Sequence, residues 1–253
     1  LLPFKILEIL VICNWKNTRI TLRNSVLQAL LNTKPLVRKL EILAYTPDRE
    51  KFLNKNTLTE LFIQLIVNFD KKQDLSGVLE QIKKKIESID DSFCGNSQKD
   101  AYEFLVVTLP VLLNELKTIP FEVWYSNSYS DPFQFQVSII THCGTKHHKK
   151  LESRTSLVLP LPQDKKDVDI SECFELFKET QSAYCLECKD FSASTQQELM
   201  SSKPEVLIMY LQRTDMTNSG RYVKGQQSVE FDETDLDLNK YFNFGGKISC
   251  HES

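Results

Sequence analysis

Glycine is scarce in this chain, 7 of 253 residues, and only 3 methionines, 2 tryptophans and 4 histidines accompany it. That scarcity excludes a collagen-like or glycine-rich low-complexity polymer. Charge of one sign is also missing: 31 Lys and Arg stand against 34 Asp and Glu, a net charge of −3. So balanced a chain has no electrostatic footprint for nucleic acid, and none is expected as a partner. The basic clusters Lys83-Lys84-Lys85 and His147-His148-Lys149-Lys150 are short and read as solvated faces. Residues 1–13 are apolar but interrupted by Lys5 and Glu8, whereas a bilayer span needs about 20 apolar residues. This stretch also lacks the basic start and small-residue cleavage site of a signal peptide. It reads as a buried strand or helix, and no membrane partner is expected. The cysteines are seven and scattered, which excludes a disulfide framework and fits a reducing, intracellular setting, cytoplasm and/or nucleus.

What is present is an ordinary globular composition, 41% hydrophobic and 26% charged, at a length that suits one large domain or two modest ones. The first half has a helical period. Val26, Leu27, Leu30 and Leu31 share one face of a helix over residues 24–32. A break at Pro35 precedes a second helix over 36–43. Thr57-Leu58-Thr59-Glu60 has the form of a capping box, in which threonine and glutamate each satisfy a free backbone N–H. It opens an amphipathic stretch through Leu61, Phe62, Leu65, Ile66 and Phe69, and residues 75–89 form another. Ser97-Gln98-Lys99-Asp100 is a further capping signal before a helix over 101–116, which Pro110 is expected to kink or interrupt. Beyond residue 118 the period changes to two. Residues 133–139 alternate as a half-buried strand does, 156–162 end a strand at two prolines, and 206–211 read as a central strand. Residues 171–180 suit a short helix, 214–225 a polar hairpin tip or loop, and 229–231 and the segment leading to 241–242 a return to strand or turn. The class is α+β, a helical lobe over residues 1–117 and a β-rich lobe over 118–253.

Four blocks carry a more specific signal. The first runs from Asn14-Trp15-Lys16-Asn17-Thr18-Arg19 into the helix at Asn24-Ser25 and on through Asn32-Thr33-Lys34-Pro35-Leu36. The second is Gln98-Lys99-Asp100-Ala101-Tyr102-Glu103-Phe104-Leu105. The third is Cys143-Gly144 with Leu157-Val158-Leu159-Pro160-Leu161-Pro162 behind it. The fourth is Tyr184-Cys185-Leu186-Glu187-Cys188, followed by Pro204-Glu205-Val206-Leu207-Ile208, Leu211-Gln212-Arg213 and Leu236-Asp237-Leu238. In this order, over roughly residues 14–242, they resemble the ubiquitin-specific proteases, the ubiquitin carboxyl-terminal hydrolase family of papain-like cysteine proteases.

The resemblance implies a papain-like fold, with residues 1–117 as a helical thumb and 118–253 as β-rich fingers and part of the palm. The C-terminal part of the palm is expected to be missing from the chain. It also implies ubiquitin or a ubiquitinated protein as partner, and hydrolysis of the bond between ubiquitin's C-terminal glycine and a lysine. Such chemistry needs a thiolate, which forms readily at a helix N-terminus beside an imidazole. Counting forward from Asn14 puts Arg19 at the nucleophile's place, and counting back from Asn24-Ser25 puts Thr21 there. A guanidinium stays protonated, and a threonine hydroxyl needs a placed base and otherwise caps a helix. Cys13, the nearest thiol, lies in the apolar run and reads as buried and inert. Asn14 matches the family asparagine that donates to the oxyanion, with a turn-forming role as the alternative. The family's Gly-His-Tyr box has no match: His142, His147 and His148 lie in the fingers region, and His251 sits in the final segment.

Family members often hold one zinc at the fingertip with two Cys-x-x-Cys knuckles. Cys185 and Cys188 form the second knuckle, but the first reads Ile140-Thr141-His142-Cys143. Cys143, Cys185 and Cys188 remain, with His142 or His147 to complete a structural site, or no metal binds. No cofactor is required for the chemistry. Three readings of function follow. One is a ubiquitin-recognising domain of the deubiquitination pathway, catalytically impaired as the chain stands. Another is an active thiol-dependent deubiquitinase whose true Cys and His boxes are lost to truncation or a faulty gene model. The last is a non-catalytic ubiquitin-binding or scaffold module.

Overall fold

Apolar residues spaced three and four apart make five α-helices between residues 21 and 117. The computed structural model describes residues 8–12, 21–95, 100–124, 129–143, 146–163, 165–182, 184, 189, 194–216, 222–232, 236–242 and 244. Contacts divide the chain into two units, Ile12–Pro132 and a second built from Leu1–Val11 with Phe133–Ser253.

The first unit is helical: α1 (Thr21–Asn32), α2 (Lys34–Tyr45), α3 (Leu58–Asp70), α4 (Ser76–Ile89) and α5 (Ala101–Lys117). Helix α1 buries Val26, Leu27 and Leu30 and packs on α2 and α5; Leu31 is only half buried. The break between α1 and α2 is Thr33, whose Oγ1 donates to the Ala29 carbonyl at 2.9 Å. Pro35 does not make the break. It lies in the first turn of α2, where no intrahelical bond needs its missing N–H.

Thr57 caps α3 as expected, its Oγ1 accepting from Glu60 N at 3.2 Å. The reciprocal half of the capping box is absent. The Glu60 carboxylate meets the Arg49 guanidinium at 3.3 Å and Gln64 at 3.2 Å. The Thr57 N–H donates to the Asn54 carbonyl at 3.0 Å instead, and Glu115 of α5 accepts from the next two free N–H groups, those of Leu58 and Thr59. Helix α4 buries Val78, Ile82 and Ile86. Its lysine run faces solvent and makes weak i,i+4 pairs, Lys83–Glu87 and Lys84–Glu80, as a solvated face does. Helix α5 continues through Pro110 without interruption. Pro110 is exposed, so water can reach the carbonyl its ring leaves unpaired. The core holds Leu36, Leu40, Leu43, Phe62, Ile63 and Leu112, each almost wholly buried.

The change from helix to strand follows α5, but the first unit extends to Pro132. A 3-10 turn at Phe121–Trp124 packs back on α2, and Lys39 Nζ sits 5.6 Å from the Trp124 ring centre and 5.1 Å from that of Tyr129.

The second unit holds β1 (Glu8–Ile12), β2 (Phe135–Cys143), β3 (Lys146–Arg154), β4 (Leu157–Pro160), β5 (Asp167–Asp169) and α6 (Ile170–Lys178). It continues with β6 (Gln181–Ser182), β7 (Ser194–Met200), β8 (Val206–Gln212), β9 (Thr214–Met216), β10 (Tyr222–Lys224) and β11 (Ser228–Glu230). One sheet has the order β1-β8-β4, so the apolar opening of the chain supplies a strand. Its central strand β8 buries Val206, Leu207, Ile208 and Met209, because both of its faces are covered. A second sheet, β3-β2-β7-β6, is antiparallel throughout. Two short pairs complete the unit, β9 with β10 and β5 with β11. Helix α6 opens with a full capping box between Asp169 and Glu172 and packs on β4 and β7. Its Phe174 lies 4.7 Å from the Tyr241 ring and 5.5 Å from that of Phe242.

Candidate active site and metal centre

The first turn of a helix leaves four N–H groups without intrahelical partners and carries the positive end of the helix dipole. Helix α1 offers such an end, with Thr21 as its first residue. Burial of Val26, Leu27 and Leu30 holds the helix in the core behind it. Thr21 is thus at the helix start, one of the two positions that motif counting assigns to a nucleophile. Cys13, Asn14 and Arg19 lie outside the described residues.

Two free thiols are described. Cys173 is buried in α6, and its thiol is pushed up to about 11, chiefly by burial and then by Glu172 and Asp169, with Arg213 opposing. It is neutral near pH 7 and enclosed, hence unreactive. Cys94 is exposed, following a 3-10 turn, with Sγ 3.9 Å from the Glu87 carbonyl.

The second block of the sequence signal builds the start of α5. Asp100 Oδ1 accepts from Tyr102 N at 2.7 Å, and Phe104 and Leu105 enter the core. Gln98 and Lys99 lie outside the described residues. The third and fourth blocks meet through Arg213. Its guanidinium donates to the Gln227 carbonyl, and Gln227 Nε2 donates to the Pro162 carbonyl at 3.2 Å. Gly225 N donates to the Arg213 carbonyl at 2.6 Å. A Cβ at Gly225 would fall 2.1 Å from Gln227 Oε1, so only glycine fits this turn without moving Gln227. The link from Arg213 to Gln227 is not legible in the sequence, since its acceptor is a backbone carbonyl, which carries no residue signature.

Cys143 ends β2, in register with Lys146 of β3 and Ser194 of β7. The neighbouring position, His142, pairs with His147 and Thr195. Ser182 also pairs with Thr195, so the segment leading to Cys185 starts at the same end of this sheet. Cys185 and Cys188 lie outside the described residues. Ile140, at the place of the missing knuckle ligand, is buried within β2. Among the described residues no group of three metal-ligating side chains comes together. No helix among them is long and apolar enough to cross a membrane.

The model of the family described as "Ubiquitin carboxyl-terminal hydrolase" matches residues 16–251. Mouse ubiquitin carboxyl-terminal hydrolase 29 is 25% identical over an alignment covering 91% of this chain and 28% of its own length. The human protein of the same name is 26% identical, over 74% of this chain and 23% of its own. This chain therefore spans about a quarter of the curated relatives it matches. Among solved structures, the SAGA DUB module of Ubp8, Sgf11, Sus1 and Sgf73 bound to monoubiquitin has a TM-score of 0.65 at 16% identity, covering 94% of this chain and 54% of that one. The same module bound to ubiquitin aldehyde gives 0.65 at 17%, covering 92% and 54%. Over the part that is shared, the papain-like fold of those chains, mixed helix and sheet, is the fold found here. The chain belongs to the ubiquitin carboxyl-terminal hydrolase family, as a ubiquitin-specific protease-like domain of the deubiquitinase type.

Proposed function

We propose that this chain recognises ubiquitin or a ubiquitinated protein in the deubiquitination pathway and, with its residues as they stand, acts as a pseudo-enzyme. One observation carries the reading. Helix α1 begins at Thr21 and is anchored in the core, yet the position that needs a thiol holds Arg19 or Thr21. A guanidinium keeps its proton and attacks nothing. A threonine hydroxyl at a helix start satisfies a backbone N–H more readily than it loses a proton. Asn14 has no oxyanion to stabilise without an attacking group. The ubiquitin-bound state of the structural neighbours supports ubiquitin as the partner.

A structural zinc belongs to this reading, held by Cys143, Cys185 and Cys188 with His142 or His147. Three thiolates and an imidazole suit tetrahedral zinc, and the sheet register that joins 143 to 194 and 182 to 195 supports a shared end for them. Zinc would supply cross-linking of the fingertip and no chemistry. An intracellular location, cytoplasm and/or nucleus, is supported by the scattered cysteines.

The test titrates the chain with ubiquitin and, separately, with ubiquitin bearing a thiol-reactive group at its C-terminus. Saturable binding without a covalent adduct is expected. An adduct that survives replacement of every cysteine except Cys13 would show a working nucleophile. A cooperatively melting chain with no saturable ubiquitin binding would sink the partner assignment. Zinc is tested by dialysis against a chelator, with metal analysis before and after. A stoichiometric zinc whose removal lowers the melting temperature is expected, and a metal-free chain with unchanged melting removes it.

A further inference from the structure

The strand β3 is the end of its sheet among the described residues, paired only with β2. All nine of its residues are in register with β2. Its other side presents the alternate N–H and C=O groups that an edge strand leaves unpaired. An exposed edge of this length is a template for another extended segment.

The charge on this edge is one-sided. Residues 146–154 carry Lys146, Lys149, Lys150 and Arg154 against Glu152 alone, in a chain whose net charge is −3. Arg154 is occupied: it meets Glu198 of β7 at 2.6 Å and Glu152 at 3.1 Å. Lys150 reaches Glu152 at only 3.7 Å, with the lysine side chain mostly exposed, a contact that contributes little. Lys149 is exposed and has no acidic partner among the described residues. Between these charges stands Leu151, 58% exposed, in register with Ser138 of β2. Ser138 is in turn in register with half-buried Leu199 of β7.

These features select an occupant. A second copy of the chain would bring its own lysine-rich β3 against this one, and like charges placed opposite each other across strands repel. Lysine at an edge thus works against self-pairing. The same charges attract an acidic segment, and discrimination of this kind needs both effects. Leu151 offers an apolar contact at the middle of the strand. We propose that β3 is a docking edge for an extended acidic peptide segment of a partner protein. The segment would add as a further strand beside Lys149–Arg154, with its carboxylates near Lys149 and Lys150 and an apolar residue against Leu151. This site is independent of the reading of α1 and of ubiquitin.

The probe is a synthetic peptide containing Glu-Glu-Val-Glu-Glu, which in either strand direction sets Glu, Glu and Val beside Lys149, Lys150 and Leu151, with a Lys-for-Glu peptide as control, added to the full chain. Saturable binding of the acidic peptide alone is expected, weakened by salt, with slowed hydrogen exchange at β3 amides. The double variant K149E/K150E should keep its melting temperature, lose at least about tenfold in affinity for the acidic peptide, and gain affinity for the basic one. Leu151→Ser should weaken binding without the exchange of charge preference. Absence of saturable binding, binding indifferent to charge reversal, or protection confined to other strands would each overturn the proposal. So would protection of the β3 amides by ubiquitin and not by the acidic peptide.

Discussion

The Glu115 carboxylate of α5 closes the N-terminus of α3 at Thr59. Its Oε2 accepts from Thr59 N at 2.7 Å and from Thr59 Oγ1 at 2.8 Å, and its Oε1 accepts from Leu58 N at 3.0 Å. A residue 56 positions away satisfies the first two N–H groups of the helix, while the N–H that the expected capping box assigned to Glu60, that of Thr57, donates to the Asn54 carbonyl at 3.0 Å. The negative charge also lies at the positive end of the α3 dipole. Glu115→Ala leaves Leu58 N and Thr59 N without partners, and charge-assisted bonds are worth about 1.5–3 kcal/mol each before non-additivity. A loss of about 2–3 kcal/mol is expected in urea unfolding. Glu115→Gln keeps one carbonyl acceptor and should lose about half as much. Equal stability of all three proteins would refute the cap.

Thr108 presents the opposite case. It lies in α5, wholly buried, and its Oγ1 finds no hydrogen-bond partner among the described residues. An unpaired buried hydroxyl costs about 1–3 kcal/mol. Thr108→Val keeps the β-branched shape and removes the oxygen. It should raise stability by about 1 kcal/mol and the melting temperature by about 2–4 °C. Thr108→Ser retains the hydroxyl and should give no such gain. A drop in melting temperature for Thr108→Val would show that the oxygen has a partner in solution.

Lys72 ends α3 in a conformation that favours glycine. Its φ is +53°. Lys72 N donates to the Phe69 carbonyl at 3.0 Å and Gln73 N to that of Asn68 at 2.9 Å. These two bonds make a Schellman motif. A lysine held in the left-handed region costs about 1 kcal/mol. Lys72→Gly should therefore stabilise the chain by about 0.5–1 kcal/mol despite the added freedom of the unfolded state. Lys72→Ala should leave stability unchanged, and an equal gain from both would point to charge instead of backbone.

The elements that the sequence revealed are those whose side chains repeat with a period. Helices α3, α4 and α5 follow from Phe62, Ile82 and Leu112 and their neighbours, and β8 from its apolar run. The strands β3 and β7 were not legible. Lys-His-His-Lys-Lys and Ser-Thr-Gln-Gln contain no apolar alternation. They pair because β2 between them buries Val137 and Ile140 and brings a backbone edge to each side. The candidate site was legible as motif, through Asn24-Ser25 and Asp100-Ala101, because caps and core contacts are local. The Arg213–Gln227–Pro162 link was not legible, because it joins loops by backbone carbonyls that carry no residue signature.

Cys173 makes stability depend on alkaline pH in a predictable direction. Burial first, then Glu172 and Asp169, hold its thiol up to about 11, against about 8.5 for an exposed thiol. Between those values the folded chain keeps a proton that the unfolded chain releases. Where the folded state binds more protons, stability falls as pH rises. The contribution of Cys173 is therefore complete below pH about 8.5 and is lost progressively up to about 11. Tyr129 is also shifted upward, by burial and Asp131, so the wild-type curve alone does not isolate the thiol. The difference between wild type and Cys173→Ala does: it should be flat below pH 8 and shrink as pH climbs toward 11. The same enclosure governs reactivity. Brief treatment with a thiol reagent at pH 8, read by peptide mapping, should modify exposed Cys94 and spare Cys173 until denaturant is added. Modification of Cys173 at the rate of Cys94 in the folded chain would show that α6 does not enclose the thiol.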